Sequence, residues 1–507
     1  MSSGFNRRDF LKFSVMFPVG VAASNLAKFF RARQSGKKNV IIVVFDAFTA
    51  HNMSLYGYAR ETTPNINKLA DRAIVYHNHY AGSNFTSPGT ASLLTGTLPW
   101  THRAMQPNSR VVEKYFDKSI FNVFNDFHRM AYSHNEWVNT HFETFKKDID
   151  EWIPRLQLCN QSLSDSVIEN LFGNDRDISS VAWVRNAEIS GGGGYAYSLY
   201  LSRIISYFEE KVYAKYLSRF PKGIPTSGTD NGFLLEDAID WVGERLISLD
   251  EPIFGYFHFL PPHSPYRPPS EFFELFSKDG YTPPFKPRDI FADKKEHNTE
   301  RLREYYDEFI LYVDQQFGRF YEMLERSGVL NDTLLILTSD HGEAFERGVV
   351  GHDTSALYDP LLKVPLLIFE PGRNERMDIY EQTSALDLMP TLAYLSNKET
   401  PSWSEGEILP PFRESENSRR GVYAVRSYGA EANKNMQEGS VVLLRHPYKL
   451  HYYYGYSELN GSEKILLFNL ETDPEEMKNL ASLEPEITNN MLDELKDSLK
   501  KANSPYL

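Results

Sequence analysis

A chain of 507 residues with 41% hydrophobic and 24% charged residues carries enough apolar material for a large core, and its length predicts a few domains or one domain with insertions. The formal net charge of −14 argues against nucleic acid as a partner, and the charge is uneven: residues 1–38 hold eight Lys or Arg and one acid, which leaves 46 basic and 67 acidic residues, net −21, in the remainder. The single cysteine, Cys159, excludes an intrachain disulfide and any CxxC metal site, and anionic substrates must be held locally because the global field repels them.

In chain order, Arg7-Arg8-Asp9-Phe10-Leu11-Lys12 precedes the apolar stretch Phe13–Ala23, which is broken by Pro18 and Gly20. A basic head and a short apolar run predict a signal segment over 1–37, too short for a confident membrane span. The pattern resembles a twin-arginine export signal, with Asn6 where Ser or Thr is usual. It implies contact with the twin-arginine export machinery and a periplasmic or otherwise exported protein. No clean small-x-small cleavage site stands out near Ala22–Ala27, so membrane contact through an uncleaved N-terminal anchor is the accompanying expectation.

Val40-Ile41-Ile42-Val43-Val44-Phe45 is a strand of fully buried type that ends on Asp46, and Leu334-Leu335-Ile336-Leu337-Thr338 ends likewise on Ser339-Asp340-His341-Gly342-Glu343. Ligands of open α/β sheets bind just outside the carboxyl ends of strands, so Asp46, Asp340 and His341 are expected at one point. One nitrogen and two oxygen donors suit a divalent transition metal. Asn84–Gly96 reads as a loop entering a helix, whose free N–H groups favour an anion. Residues 105–235 are aromatic-rich and irregular, with the run Gly191–Gly194, and read as an insertion. Helices are predicted over Gly232–Ile247 and Arg301–Arg326, and strands over Ile253–Leu260 and Pro365–Glu370. This alternation predicts an α/β fold, a central mostly parallel sheet between helices, over 38–400. Val422–Leu444 and Lys449–Leu470 look antiparallel and place a smaller C-terminal α+β subdomain in 401–507.

Asp46, Leu55-Tyr56-Gly57-Tyr58, Thr63-Pro64-Asn65-Ile66, Thr86–Gly96, Ser339–Glu343, Gly351-His352 and Val364–Ile368, followed by Asp387-Leu388-Met389-Pro390-Thr391 and Asp473-Pro474-Glu475, occur in an order that resembles the sulfatase family of the alkaline phosphatase superfamily. The resemblance spans 38 to about 485 and implies a metal-assisted ester hydrolase or transferase. It departs at one place. The family's formylglycine arises from the Cys or Ser of a Cys/Ser-x-Pro-x-Arg motif, and here Thr86, Pro88 and Thr90 occupy the corresponding positions. Threonine does not yield formylglycine, so the implied nucleophile is the Thr86 hydroxyl itself, as in superfamily phosphodiesterases and in phosphoglycerol or phosphoethanolamine transferases.

The resemblance then implies that Asp46, Thr86, Asp340 and His341 surround one divalent metal. The histidine, and Ala47 where an acid would follow Asp46, favour Zn or Mn, with Ca or Mg as alternatives. His263 and His352 are the candidates for the leaving-group acid or for ligands of a second metal. His102 is a candidate contact to the anion, whereas His258, inside an apolar strand, reads as core. The expected substrate is an anionic ester, a phosphate diester or monoester or a sulfate ester, of a small molecule, glycan or lipid head group. The alternatives are a phosphoglycerol or phosphoethanolamine transferase, and an inactive relative that only binds an anionic glycan.

Overall fold

The structure, a computed structural model, describes residues 38–159, 214–227, 231–413 and 420–506. The signal segment 1–37, and residues 160–213 and 228–230 of the stretch read as an insertion, with its glycine run, lie outside the described residues.

Eight strands form the central sheet: β1 (Asn39–Phe45), β2 (Ile74–Tyr76), β3 (His128–Ser133), β4 (Glu151–Trp152), β5 (Ile253–Phe259), β6 (Thr333–Thr338), β7 (Leu366–Phe369) and β8 (Met377–Ile379). Their order is β8-β2-β7-β6-β1-β5-β3-β4, and only β7 runs antiparallel to its neighbours. The mostly parallel sheet expected from the strand–helix alternation is therefore present. Parallel strands are covered on both faces, which is why β1, β5 and β6 are apolar at nearly every position rather than at alternate ones.

Successive side chains of a strand point to opposite faces. Ile41, Val43 and Phe45 pack with the helices Leu235–Ser248 and Thr299–Arg326, through residues such as Ile239, Val242, Phe309 and Phe317. Val40, Ile42 and Val44 pack with α1 (Thr86–Thr95), α2 (Glu136–Phe145) and the helix Leu388–Leu395, through Leu94, Val138, Phe142 and Leu392. Asp46 follows Val44 by two residues and so belongs to the α1 face.

Within 105–235, read from sequence as an insertion, β3 is an internal strand of the sheet and pairs with β5 from His128↔Ile253 to Ser133↔His258. Its leading His128-Arg129 hides its membership, because these two residues meet solvent and acids at the sheet's rim while only Met130–Ser133 are buried.

The expected C-terminal antiparallel strands form a second sheet: β9 (Val422–Arg426), β10 (Gly439–Arg445), β11 (Tyr448–Tyr454) and β12 (Lys464–Asn469). The helix Pro485–Asn503 covers it with a stripe of Met491, Leu495 and Leu499, one per turn, against Val441, Leu443 and Leu450. A buried charge cluster joins the two sheets' surroundings: Lys449 lies 2.6 Å from Asp359 and 2.9 Å from Glu476, and His451 lies 3.0 Å from Glu476. No helix among the described residues is long and apolar enough to cross a membrane.

Candidate active site

Strand register assembles the acids. β1 and β6 run parallel with Val44 opposite Thr338, so the residues two positions on, Asp46 and Asp340, leave adjacent strands side by side. β5 flanks β1 on its other edge with His258 opposite Val44, on the same face and one rung below Asp46. Ser339 ties the strand ends together: its hydroxyl donates to the Phe45 carbonyl at 2.6 Å and accepts the Phe48 N–H at 2.9 Å. Ala47, in the left-handed region at φ 59°, turns the chain and donates its N–H to Asp340 Oδ1 at 3.3 Å.

Thr86 arrives from above the sheet as the first residue of α1, fully buried, with Oγ 3.4 Å from His341 Nε2. Two of the usual orphan donors of this helix are accounted for: Pro88 has no N–H, and Gly89 donates to the Phe85 carbonyl at 3.1 Å. The N–H groups of Thr86 and Ser87 are those left for an anion. Gly89 also sets the height of the helix, since a Cβ there would fall 2.4 Å from the Asp340 carbonyl oxygen.

Five side chains thus converge. His258 Nε2 lies 3.3 Å from Asp46 Oδ2 and 3.7 Å from Asp340 Oδ2, while His341 Nε2 lies 3.4 Å from Asp46 Oδ1 and 3.6 Å from Asp340 Oδ2. Asp46, His258, Asp340 and His341 are all fully buried, and Asp46 Oδ1, Asp340 Oδ2 and both nitrogens of His258 have no hydrogen-bond partner. Buried carboxylates without partners are costly. Ligand distances of about 2.0–2.2 Å around a tetrahedral centre correspond to donor–donor separations of roughly 3.3–3.6 Å, the spacing found here. His341 Nδ1 lies 2.9 Å from the Gly342 carbonyl, so Nδ1 carries a proton and Nε2 is the nitrogen turned toward the acids.

The electrostatics agree. Burial disfavours charge on His341, yet Asp340 and Asp46 outweigh it and raise its pKa to about 9. Burial also pushes Asp46 up, but the imidazoles of His263, His258 and His341 hold it well below the usual carboxylate range. Asp340 goes up through burial and the adjacent Asp46. The pair demands positive charge between its oxygens, and the donor set fits a divalent cation. Asn135, the N-cap of α2, accepts the Trp137 N–H at 2.9 Å and donates from Nδ2 to Asp46 Oδ2 at 2.6 Å, fixing that carboxylate's orientation.

Of the residues expected from sequence, Asp46, Thr86, Asp340 and His341 lie in this cluster. His352 stands beside it, its ring 4.4 Å from that of His341 and Nδ1 3.0 Å from Glu343 Oε1. His263 follows, 4.8 Å from the His352 ring, with Nδ1 on the Ser264 carbonyl at 2.6 Å. Burial pushes Glu343 up to about 7, and burial beside His341 pushes His352 down to about 3.

His102, expected at the anion, lies elsewhere. Its nitrogens are taken by Ser92 Oγ at 3.2 Å and the Ala104 N–H at 3.1 Å, and Ser92 is six residues beyond Thr86, about 9 Å along the helix. Two groups escaped the sequence reading. His258 was read as core although an imidazole within Phe257-His258-Phe259 was the available signal, because burying one without a partner is expensive. Asn135 carries no signal beyond that of an ordinary helix cap.

Comparison with known proteins supplies the family. A model described as Sulfatase matches residues 38–397, and one described as N-sulphoglucosamine sulphohydrolase, C-terminal, matches 348–504. An arylsulfatase of Clostridium perfringens is 23% identical, over 88% of this chain and 91% of its own. A choline-sulfatase of Rhizobium meliloti is 25% identical, over 88% and 83%. Among solved structures, the phosphonate monoester hydrolase of Agrobacterium radiobacter superposes with a TM-score of 0.66 at 20% identity, covering 92% of this chain and 96% of that one.

Proposed function

The chain belongs to the sulfatase family, and from that premise we propose that it is a metal-dependent hydrolase of monoanionic tetrahedral esters, acting through the Thr86 hydroxyl. The observation that carries this reading is the position of Thr86 at the helix start, 3.4 Å from His341 Nε2 within the carboxylate–imidazole cluster. Asp46, His258, Asp340 and His341 would hold the metal, with Thr86 beside it, and the two nitrogen donors favour Zn or Mn. Such an ion, when bound, supplies Lewis acidity that activates a hydroxyl and neutralises charge on the ester oxygens.

The remaining roles fall to the chain. The free N–H groups of Thr86 and Ser87 bind the non-bridging oxygens. Thr86 Oγ, its hydroxyl proton given up to solvent, forms a bond to sulfur or phosphorus as the bond to the alcohol oxygen breaks. That oxygen receives its proton from His352, beside His341, or from His263 beyond it. Burial lowers the pKa of both imidazoles in the free site, and the negative charge arriving with the ester raises them so that one is protonated to donate. Water then releases the anion from Thr86. Sulfate monoesters, phosphonate monoesters and phosphate diesters share one negative charge at a tetrahedral centre, and the named relatives span the first two. The twin-arginine pattern at Arg7-Arg8 supports an exported location.

The test is covalent capture. Intact-mass analysis after acid quench with a slow aryl phosphonate should show an adduct that maps to Thr86. Thr86→Ala should lose activity by about 10⁴-fold or more while still binding metal, and Thr86→Ser should retain part of the rate. An adduct on Ser87 or Thr90, or an active Thr86→Ala, overturns the assignment.

A further inference from the structure

The loop His352–Ser355 is held from two sides. On the inner side Asn84, fully buried and two residues before Thr86, donates from Nδ2 to the carbonyls of His352 at 3.0 Å and Thr354 at 2.8 Å. On the outer side Arg426, the last residue of β9, donates from Nη1 to Ser355 Oγ and from Nη2 to Asp353 Oδ1, each at 3.0 Å. Ser440, its ladder partner on β10, adds a bond from its hydroxyl to the Ser355 carbonyl at 2.6 Å. The C-terminal sheet therefore grips the residues immediately after His352.

The energetics say what this grip is for. The Arg426 side chain is 6% exposed while that of Asp353 is 82% exposed. An ion pair with one partner in water adds little stability, and the buried guanidinium bears a desolvation cost. The arrangement does accomplish immobility. The guanidinium lies 5.7 Å from the Phe85 ring and 5.1 Å from that of Tyr428, which lock it against the residue preceding Thr86. From that anchored point it restrains Asp353 and Ser355, and so the backbone that carries the His352 ring.

We infer that Arg426 is a positioning residue for the reaction: it holds His352 against the departing oxygen, so that the C-terminal sheet completes an active site otherwise built on the central sheet. The inference rests on the role given above to His352. Displacement of a proton donor by about 1 Å is enough to cost on the order of 10²-fold in rate.

The experiment uses the full chain and a series of aryl phenylphosphonates and aryl sulfates whose phenols range from poor to good leaving groups. A good leaving group needs no proton, so loss of His352 function shows only with poor ones. Arg426→Gln should lower kcat by about 100-fold for the unsubstituted phenol and by less than about threefold for para-nitrophenol, with KM little changed. Arg426→Lys should recover about a tenfold share of the loss, and His352→Ala with Arg426→Gln should be no slower than His352→Ala alone. A loss from Arg426→Gln that is uniform across the series, or that adds to that of His352→Ala, overturns the inference. If His352→Ala itself shows no leaving-group dependence, the acid role of His352 falls and that of Arg426 falls with it. A flat Arg426→Gln response beside a steep His352→Ala response removes Arg426 alone.

Discussion

Gly89 and Asp340 meet through their backbones: a methyl group on Gly89 would lie 2.4 Å from the Asp340 carbonyl oxygen and 3.5 Å from its Cβ. One contact thereby sets the distance between the helix that carries Thr86 and the strand end that carries Asp340 and His341. Gly89→Ala should lift α1 off the sheet, at a cost of about 1–3 kcal/mol from overpacking. The rise in the helix separates Thr86 from His341, so activity should fall far more than stability. Chemical denaturation and turnover, measured on the same preparation, check this, and a variant with undiminished kcat would show that the helix height is not critical.

Removal of His258 should weaken metal binding although the sequence marks it as core. Its two nitrogens have no hydrogen-bond partner, and Nε2 lies 3.3 Å from Asp46 Oδ2. A residue that only orients a ligand, such as Asn135, should cost about 10–100-fold in affinity when changed to Ala. His258→Ala and Asp340→Asn should each exceed that loss in a competitive chelator titration, with Zn and Mn tried in turn. Full metal occupancy in His258→Ala would restrict the ligands to Asp46, Asp340 and His341.

His79 predicts a pH dependence remote from the carboxylate–imidazole cluster. It is fully buried, its Nδ1 lies 3.0 Å from Thr383 Oγ, and burial together with Arg420 pushes its pKa down to about 3. The unfolded chain protonates this imidazole below about pH 6.5, whereas the folded protein resists until about pH 3, so the unfolded state binds the extra proton in between. Stability should therefore rise with pH across that window, by about 1.4 kcal/mol per pH unit from this group. The advantage of the wild type over His79→Gln in urea unfolding should shrink as pH falls from about 6.5 to 4, and a difference that does not change with pH would exclude the effect.

The export proposed for this chain should depend on Arg7 and Arg8. Replacement of both by Lys should leave the protein in the cytoplasm of a host with the twin-arginine machinery, because the receptor reads the guanidinium pair. Fractionation reports the outcome, and undiminished periplasmic protein would assign export to another route.

Asp46, Asp340 and His341 were legible in the chain because the signal is local: an apolar run of strand length that stops on a charged group needs no partner to be recognised. The α/β fold was legible for the same reason, as was the C-terminal sheet with its alternating segments. Thr86 was legible only through the motif around it. What the chain could not display is set by contacts between distant segments. Parallel register places Asp46 beside Asp340 and brings His258 one rung below them, so a histidine that looks like core in its own strand becomes a donor only once β1 and β6 lie alongside. Residues 128–133 look irregular yet pair with β5, and Asn135 just beyond them reaches Asp46. His102 illustrates the converse: its neighbours in sequence suggested the anion, and packing against Ser92 turned it into the interior. Local hydrophobicity decides which segments become strands and helices. Which polar side chains then share a buried cluster depends on register and helix height, and both are fixed by close contacts such as that of Gly89 with Asp340.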